Sequence, residues 1–139
     1  MSAKRGQGGD CWYNRLMINQ RNRFEKLKAE LAQIFSKAEY ELEGEHSEDT
    51  LNWVLKIKSD ADEVLQIAAL AHDIERAVPS MIKKKEGESY DDYKQRHADR
   101  SGQVIAELMN KYDYNEDEIN KVRYLVKNHE IGGDEETDI

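Results

Sequence analysis

A chain of 139 residues, 36% charged and with a net charge of −8, suffices for one domain with one core. It is too acidic for general binding to polymeric nucleic acid, which wants a basic footprint. A single cysteine, Cys11, excludes an internal disulfide and points to a reducing, cytoplasmic setting; no apolar run nears the ~20 residues that span a bilayer, so no membrane partner is expected.

Residues 1–21 read as an N-terminal arm, partly flexible, without the apolar stretch of a secretory signal. Within it, Cys11-Trp12-Tyr13 and Leu16-Met17-Ile18 are apolar enough to dock on this subunit or on a neighbour, which leaves a homodimer open. A helical domain is expected over residues 22–139.

Phe24, Leu27, Leu31, Ile34, Phe35 and Ala38 recur at helical spacing and predict a first helix from Asn22 to about Leu42, stopped by Gly44. A second helix is predicted from His46 to Ile57, with Thr50, Trp53 and Ile57 on the His46 side and Leu51, Val54 and Leu55 facing the core. Ser59 reads as the N-cap of a third helix, with Asp62 at the capping-box position. That helix is expected to run to about Arg76. Val64, Leu65, Ile67, Ala68, Leu70 and Ala71 make it apolar on most sides, so it should be central. Its last turn carries His72 and Asp73, where the helix dipole favours a cation.

Pro79 ends any continuation, and Met81 to Ser89 reads as a loop bearing Lys83, Lys84 and Lys85. Such a run is ordinarily a solvated surface; the alternative is a rim that attracts phosphate. Ser89, with Asp92 three residues on, caps a helix expected to reach about Tyr112, with Tyr93, His97, Ser101, Val104 and Leu108 on one face. Asn115 and Glu118 form a further capping box, and Ile119, Val122, Leu125, Val126 and His129 repeat along the helix that follows. Ile131-Gly132-Gly133 then breaks it, leaving a short acidic tail. No sustained apolar/polar alternation appears, so the expected class is all-α, a bundle of about five to six helices.

The chemistry gathers at Ala68-Ala69-Leu70-Ala71-His72-Asp73, where an imidazole and a carboxylate stand side by side at the end of an apolar helix. Burying such a pair is costly unless something compensates, and a divalent cation would. His46, His97 and His129 lie on three other predicted helices. His46, then His72-Asp73, then His97, then His129 resembles the HD-domain superfamily of metal-dependent phosphohydrolases, in the versions whose extra histidines hold two metals. Ile74 and Arg76 fit the family's frequent extension of its motif, whereas Glu75 stands where Gly is common. The likeness spans about residues 24–139.

The resemblance implies that His46, His72 and Asp73 hold a first metal, with Asp73 bridging to a second held by His97 and His129. Catalytic roles fall to Asp73 and Arg76, with Arg76 contacting a phosphate. Arg100, near His97, and Lys83 are further candidates for substrate contact. One or two divalent transition ions (manganese, iron, nickel, cobalt or zinc, rather than magnesium) suit imidazole ligands. The implied partner is a small phosphorylated substrate, such as a nucleotide. The superfamily's closing aspartate, from a helix after the last histidine, has no clear counterpart; Asp134 and Asp138 are the late aspartates, and the closing helix is expected to be missing. That departure favours an alternative, a nucleotide- or metal-binding module without turnover. In a third reading the histidines simply pack in an interaction protein.

Overall fold

The computed structural model describes residues 22–40, 42–79 and 81–129. The expected N-terminal arm, the break after His129, and Asp134 and Asp138 lie outside the described residues. Helix α1 covers 22–36, α2 Leu42–Ile57, α3 Glu63–Ala71, α4 Tyr90–Lys111 and α5 Glu116–Asn128; a 3-10 turn, Ile74–Ala77, follows α3. No strand occurs among the described residues, which form an all-α bundle of five helices. No described helix is long and apolar enough to cross a membrane.

The core forms around α3, as its composition requires. Val64, Leu65, Ile67, Ala68, Ala69, Leu70 and Ala71 are all buried, because α2 and α5 pack against it. Small residues at 68, 69 and 71 allow the close approach. Helix α1 adds Leu27, Leu31 and Phe35 to the core, and α4 and α5 pack along each other through Ile105, Met109, Val122 and Val126. Each large aliphatic side chain removed from water contributes about 1.5–3 kcal/mol.

The expected boundaries from α1 to the start of α3 need correction. Helix α1 stops at residue 36 rather than near Leu42: Lys37 and Ala38 donate to the carbonyls of Ile34 and Phe35, a tightened last turn, and Leu42 opens α2 instead. Gly44 is no stop. It lies inside α2, where a Cβ would come 3.3 Å from the Phe35 Cβ, so its lack of a side chain lets α2 cross close to α1. Ser59 is not the cap of α3. Asp62 is, its carboxylate accepting from the Leu65 N–H at 2.9 Å. The other two caps form as expected, Ser89 accepting from Asp92 N at 3.1 Å and Asn115 pairing reciprocally with Glu118.

The far end of the bundle is clipped by Arg23. Its guanidinium donates to both Glu118 carboxylate oxygens, at 3.2 and 2.7 Å, to Glu63 at 3.4 Å and to the Asp113 carbonyl at 3.2 Å, while lying over the Tyr114 ring. Asp113 takes the left-handed backbone that turns the chain from α4 into α5 (φ 65°), and Asp tolerates it better than most residues.

Candidate functional site

Helix α3 ends at Ala71, not Arg76. His72 is its C-cap, and Asp73 leaves the helical backbone (φ −116°, ψ 22°) before the 3-10 turn begins. That departure aims the Asp73 carboxylate across the helix ends rather than along α3. The 3-10 turn is fixed from α4, since the Glu75 N–H donates to the buried Ser101 hydroxyl at 3.1 Å. On the other side Ser47 of α2 donates to the Leu70 carbonyl at 2.5 Å, which seats neighbouring His46 against His72.

All four histidines converge on Asp73. Its Oδ2 lies 3.1 Å from His46 Nε2 and 3.1 Å from His72 Nε2; its Oδ1 lies 2.8 Å from His97 Nε2 and 3.6 Å from His129 Nε2. The two groups, His46/His72/Asp73 and Asp73/His97/His129, each keep their ligand atoms within 4.8 Å of one another. His97 is 2% exposed and His46 52%, so the cluster is deep on the α4 side and open on the α2 side.

Three of the rings have their second nitrogen committed. Nδ1 of His72 faces the Ala69 carbonyl at 2.8 Å, Nδ1 of His129 faces the Val126 carbonyl at 2.5 Å, and Nδ1 of His97 faces Glu75 Oε1 at 2.7 Å. Carbonyls and carboxylates only accept, so each Nδ1 carries the proton. In the neutral rings Nε2 then presents a lone pair toward the lone pairs of Asp73. Such an arrangement is repulsive until a cation stands between them. Protons also answer the demand. Burial opposes a charged His97, but its bonds to Asp73 and Glu75 prevail and push it up to about 9. His72 rises likewise against its burial. Burial would raise the Asp73 carboxyl, yet the surrounding imidazoles hold it well below the usual carboxylate range.

A divalent metal would meet the same demand, and the spacing of the His46/His72/Asp73 group suits one, whereas His129 Nε2 stands 3.6 Å from Asp73 Oδ1. Two ligands of one ion, each bonded at about 2.0–2.1 Å, stand about 2.8–3.4 Å apart for right-angled to tetrahedral geometry. His46 and His72 Nε2 are 3.0 Å apart, and both are 3.1 Å from Asp73 Oδ2. A transition metal suits these imidazole nitrogens, and Asp73 has one oxygen for each group.

Glu75 was not singled out for a role from the sequence, yet it is fully buried beside the cluster. Its Oε1 holds His97, and its Oε2 accepts from the Ile82 N–H at 2.6 Å, so it fixes the His97 ring and the start of the 81–89 loop together. A carboxylate behind a ligating histidine sets the ring's tautomer and raises its basicity. The available signal was that an acidic residue stands where Gly is common in the resembled family.

The remaining predicted residues are differently placed. Arg76 is exposed on the 3-10 turn and, with Lys83, lines an open cleft beside the cluster. Arg100 instead directs its guanidinium to Gln103 at 3.4 Å on the exposed side of α4. Among the described residues no hydrogen bond or ion pair joins Arg100 to the histidine cluster.

Fold and site together define a helical-bundle protein whose His/Asp groups could hold one or two metal ions. The model of a family described as "Domain of unknown function (DUF4202)" matches residues 19–139, and the chain belongs to that family. No curated protein and no solved structure matches it.

Proposed function

We propose that this chain is a metal-dependent phosphohydrolase of the HD-domain type, acting on a nucleotide or another small phosphorylated metabolite. One observation carries the reading: both oxygens of a single carboxylate, Asp73, face paired imidazole Nε2 atoms from α2, the end of α3, α4 and the end of α5. One acid flanked by two imidazole pairs is the donor set expected of a bridged two-metal site. His46, His72 and Asp73 would hold one divalent transition ion, and Asp73, His97 and His129 the other. Such ions, when bound, lower the pKa of a bound water toward about 7 and offset charge on phosphoryl oxygens.

The chain's own residues supply the rest. Asp73, held ionised by the surrounding imidazoles, would bridge the two ions. Glu75 keeps the His97 Nδ1 proton in place, so that Nε2 remains a ligand. Half-exposed His46 borders the open side, from which a substrate can approach. Arg76, exposed on the 3-10 turn just beyond Asp73, would pair with a phosphate oxygen.

The test is metal analysis of the purified chain, with hydrolysis of a phosphomonoester and phosphodiester panel in manganese and in chelator. Metal retention with turnover that disappears in the His72→Ala/Asp73→Ala double variant is expected. Unchanged turnover in that variant would remove both residues from the mechanism. Retained metal with no product would leave a binding module without turnover.

A further inference from the structure

Beside the cluster lies an open cleft of about 510 Å³, within the range of small-molecule sites. It shares its supports with the cluster. Arg76 lines it from the turn that begins just after Asp73. Leu42 lines it from α2, one turn before His46 and on the same helix face, a rise of about 6 Å. Ile82 begins its third wall, held through Glu75 to His97.

The lining is cationic and aromatic in a chain whose net charge is −8. Arg76, Lys83 and Lys84 border the cleft against one carboxylate, Glu43, while Tyr40 and Tyr93 offer ring surface. The lysines stand on a fixed backbone: Ile82 N–H binds buried Glu75, the Lys83 carbonyl accepts from Arg96 at 3.0 Å, and Lys85 N–H binds Glu88 at 3.0 Å. Arg96 is itself clamped to both oxygens of Glu88, each at 2.7 Å. A loop backbone already held in place lowers the cost of ordering a ligand against it.

We infer that this cleft recognises a second anionic group, with an attached aromatic ring, on the substrate of the neighbouring centre: a nucleotide carrying a phosphate beyond the one presented to Asp73. The inference rests on the phosphohydrolase reading above. Arg76 and the ions at Asp73 would meet the charge of one phosphoryl group, which leaves Lys83 and Lys84 for another. Tyr40 and Tyr93 provide stacking faces that tolerate any base.

The experiment is calorimetric titration of the full chain in chelator with adenosine bisphosphate, adenosine monophosphate and adenosine, and separately with manganese alone. The bisphosphate is expected to bind about tenfold or more tighter than the monophosphate, with the margin shrinking as salt is added. In the Lys83→Ala/Lys84→Ala variant that margin should fall to about twofold or less. Both side chains are exposed, so the helical circular-dichroism signal should be unchanged; Lys84→Glu alone provides a second reading in the same direction. Equal binding of the two nucleotides by the native chain, or a margin that survives both variants, overturns the inference. Manganese binding and ester hydrolysis without the margin overturn the cleft alone. A lysine-dependent margin in a chain that neither binds manganese nor cleaves esters sustains the cleft and removes the hydrolytic reading.

Discussion

Replacing Glu75 by Gln should weaken one metal-binding event and spare the other. The side chain is fully buried and faces two donors, His97 Nδ1 at 2.7 Å and Ile82 N at 2.6 Å. Glutamine keeps the shape but offers one acceptor oxygen and one NH2 group. A backbone N–H cannot become an acceptor, so the amide oxygen must serve Ile82 and the NH2 must face His97. The ring then has to accept at Nδ1, which moves its proton to Nε2, the atom that faces Asp73. A protonated Nε2 is no ligand. Loss of a carboxylate behind a ligating histidine typically costs about 10–100-fold in metal affinity. Exchanging charge-assisted bonds for neutral ones should cost about 1–2 kcal/mol of stability. Alanine is the poorer probe, since two stranded donors cost about 1–3 kcal/mol each, a large share of a total near 5–15 kcal/mol. Manganese titration by calorimetry, with urea unfolding of the metal-free chain, reads both effects. The event assigned to Asp73, His97 and His129 should weaken within that range, while the event assigned to His46, His72 and Asp73 shifts by about threefold or less. Two events unchanged, or both weakened alike, would refute the tautomer argument.

His46→Ala should do the reverse: its ring is 52% exposed, so the unfolding free energy measured in urea should change by less than about 1 kcal/mol while manganese stoichiometry falls. Gly44→Val should destabilise by about 1–3 kcal/mol in urea, because the new Cβ meets the Phe35 Cβ at 3.3 Å and that atom, fixed to the α1 backbone, cannot swing aside. Burial and the hydrogen bond to Glu63 both raise the Tyr114 phenol above its ordinary value, so its contribution is present below the unfolded pKa of about 10 and lost as pH rises past it. Unfolding midpoints measured from about pH 8 to 11 should therefore fall at the alkaline end, and Tyr114→Phe should flatten that fall. Glu118 works in the opposite sense: its burial acts upward, but Arg23 outweighs it and depresses the group, so its stabilisation is present above about pH 4.5 and fades as pH falls further.

Legibility followed the range of the interaction that decides each feature. The caps at Ser89 and Asn115 involve residues three positions apart, and both formed as the pattern required. The end of α1 depends on a partner across the bundle. Nothing in Lys37-Ala38-Glu39 breaks a helix, so periodicity runs on toward Leu42 until α2 comes in close at Gly44. Ser59 and Asp62 are both acceptable cap residues, and local pattern does not rank them. The four histidines could be singled out together because few residue types ligate metals and each sits on, or at the end of, a different helix, with Asp73 next to His72. Glu75 could not be given a role, because a Glu between His-Asp and Arg reads as a solvent-facing charge. Its ring partner lies 22 positions on, and its other partner is a backbone N–H in an irregular loop.

The same comparison explains why α3 stops where it does. Had the helix run through to Arg76, Asp73 would have sat on the α3 surface beside His72, unable to turn one oxygen toward α2 and the other toward α4 and α5. Ending at Ala71 exposes carbonyls of the last turn, and Ser47 and the His72 ring answer two of them, at Leu70 and Ala69. Ser101 holds the turn that follows, through the Glu75 N–H. Hydroxyls on α2 and α4 and an imidazole of the cluster itself therefore stabilise the break that gives Asp73 its reach. The central helix must be apolar to build the core and must end abruptly to build the site. Ala68-Ala69-Leu70-Ala71 followed by His72-Asp73 meets both requirements within six residues.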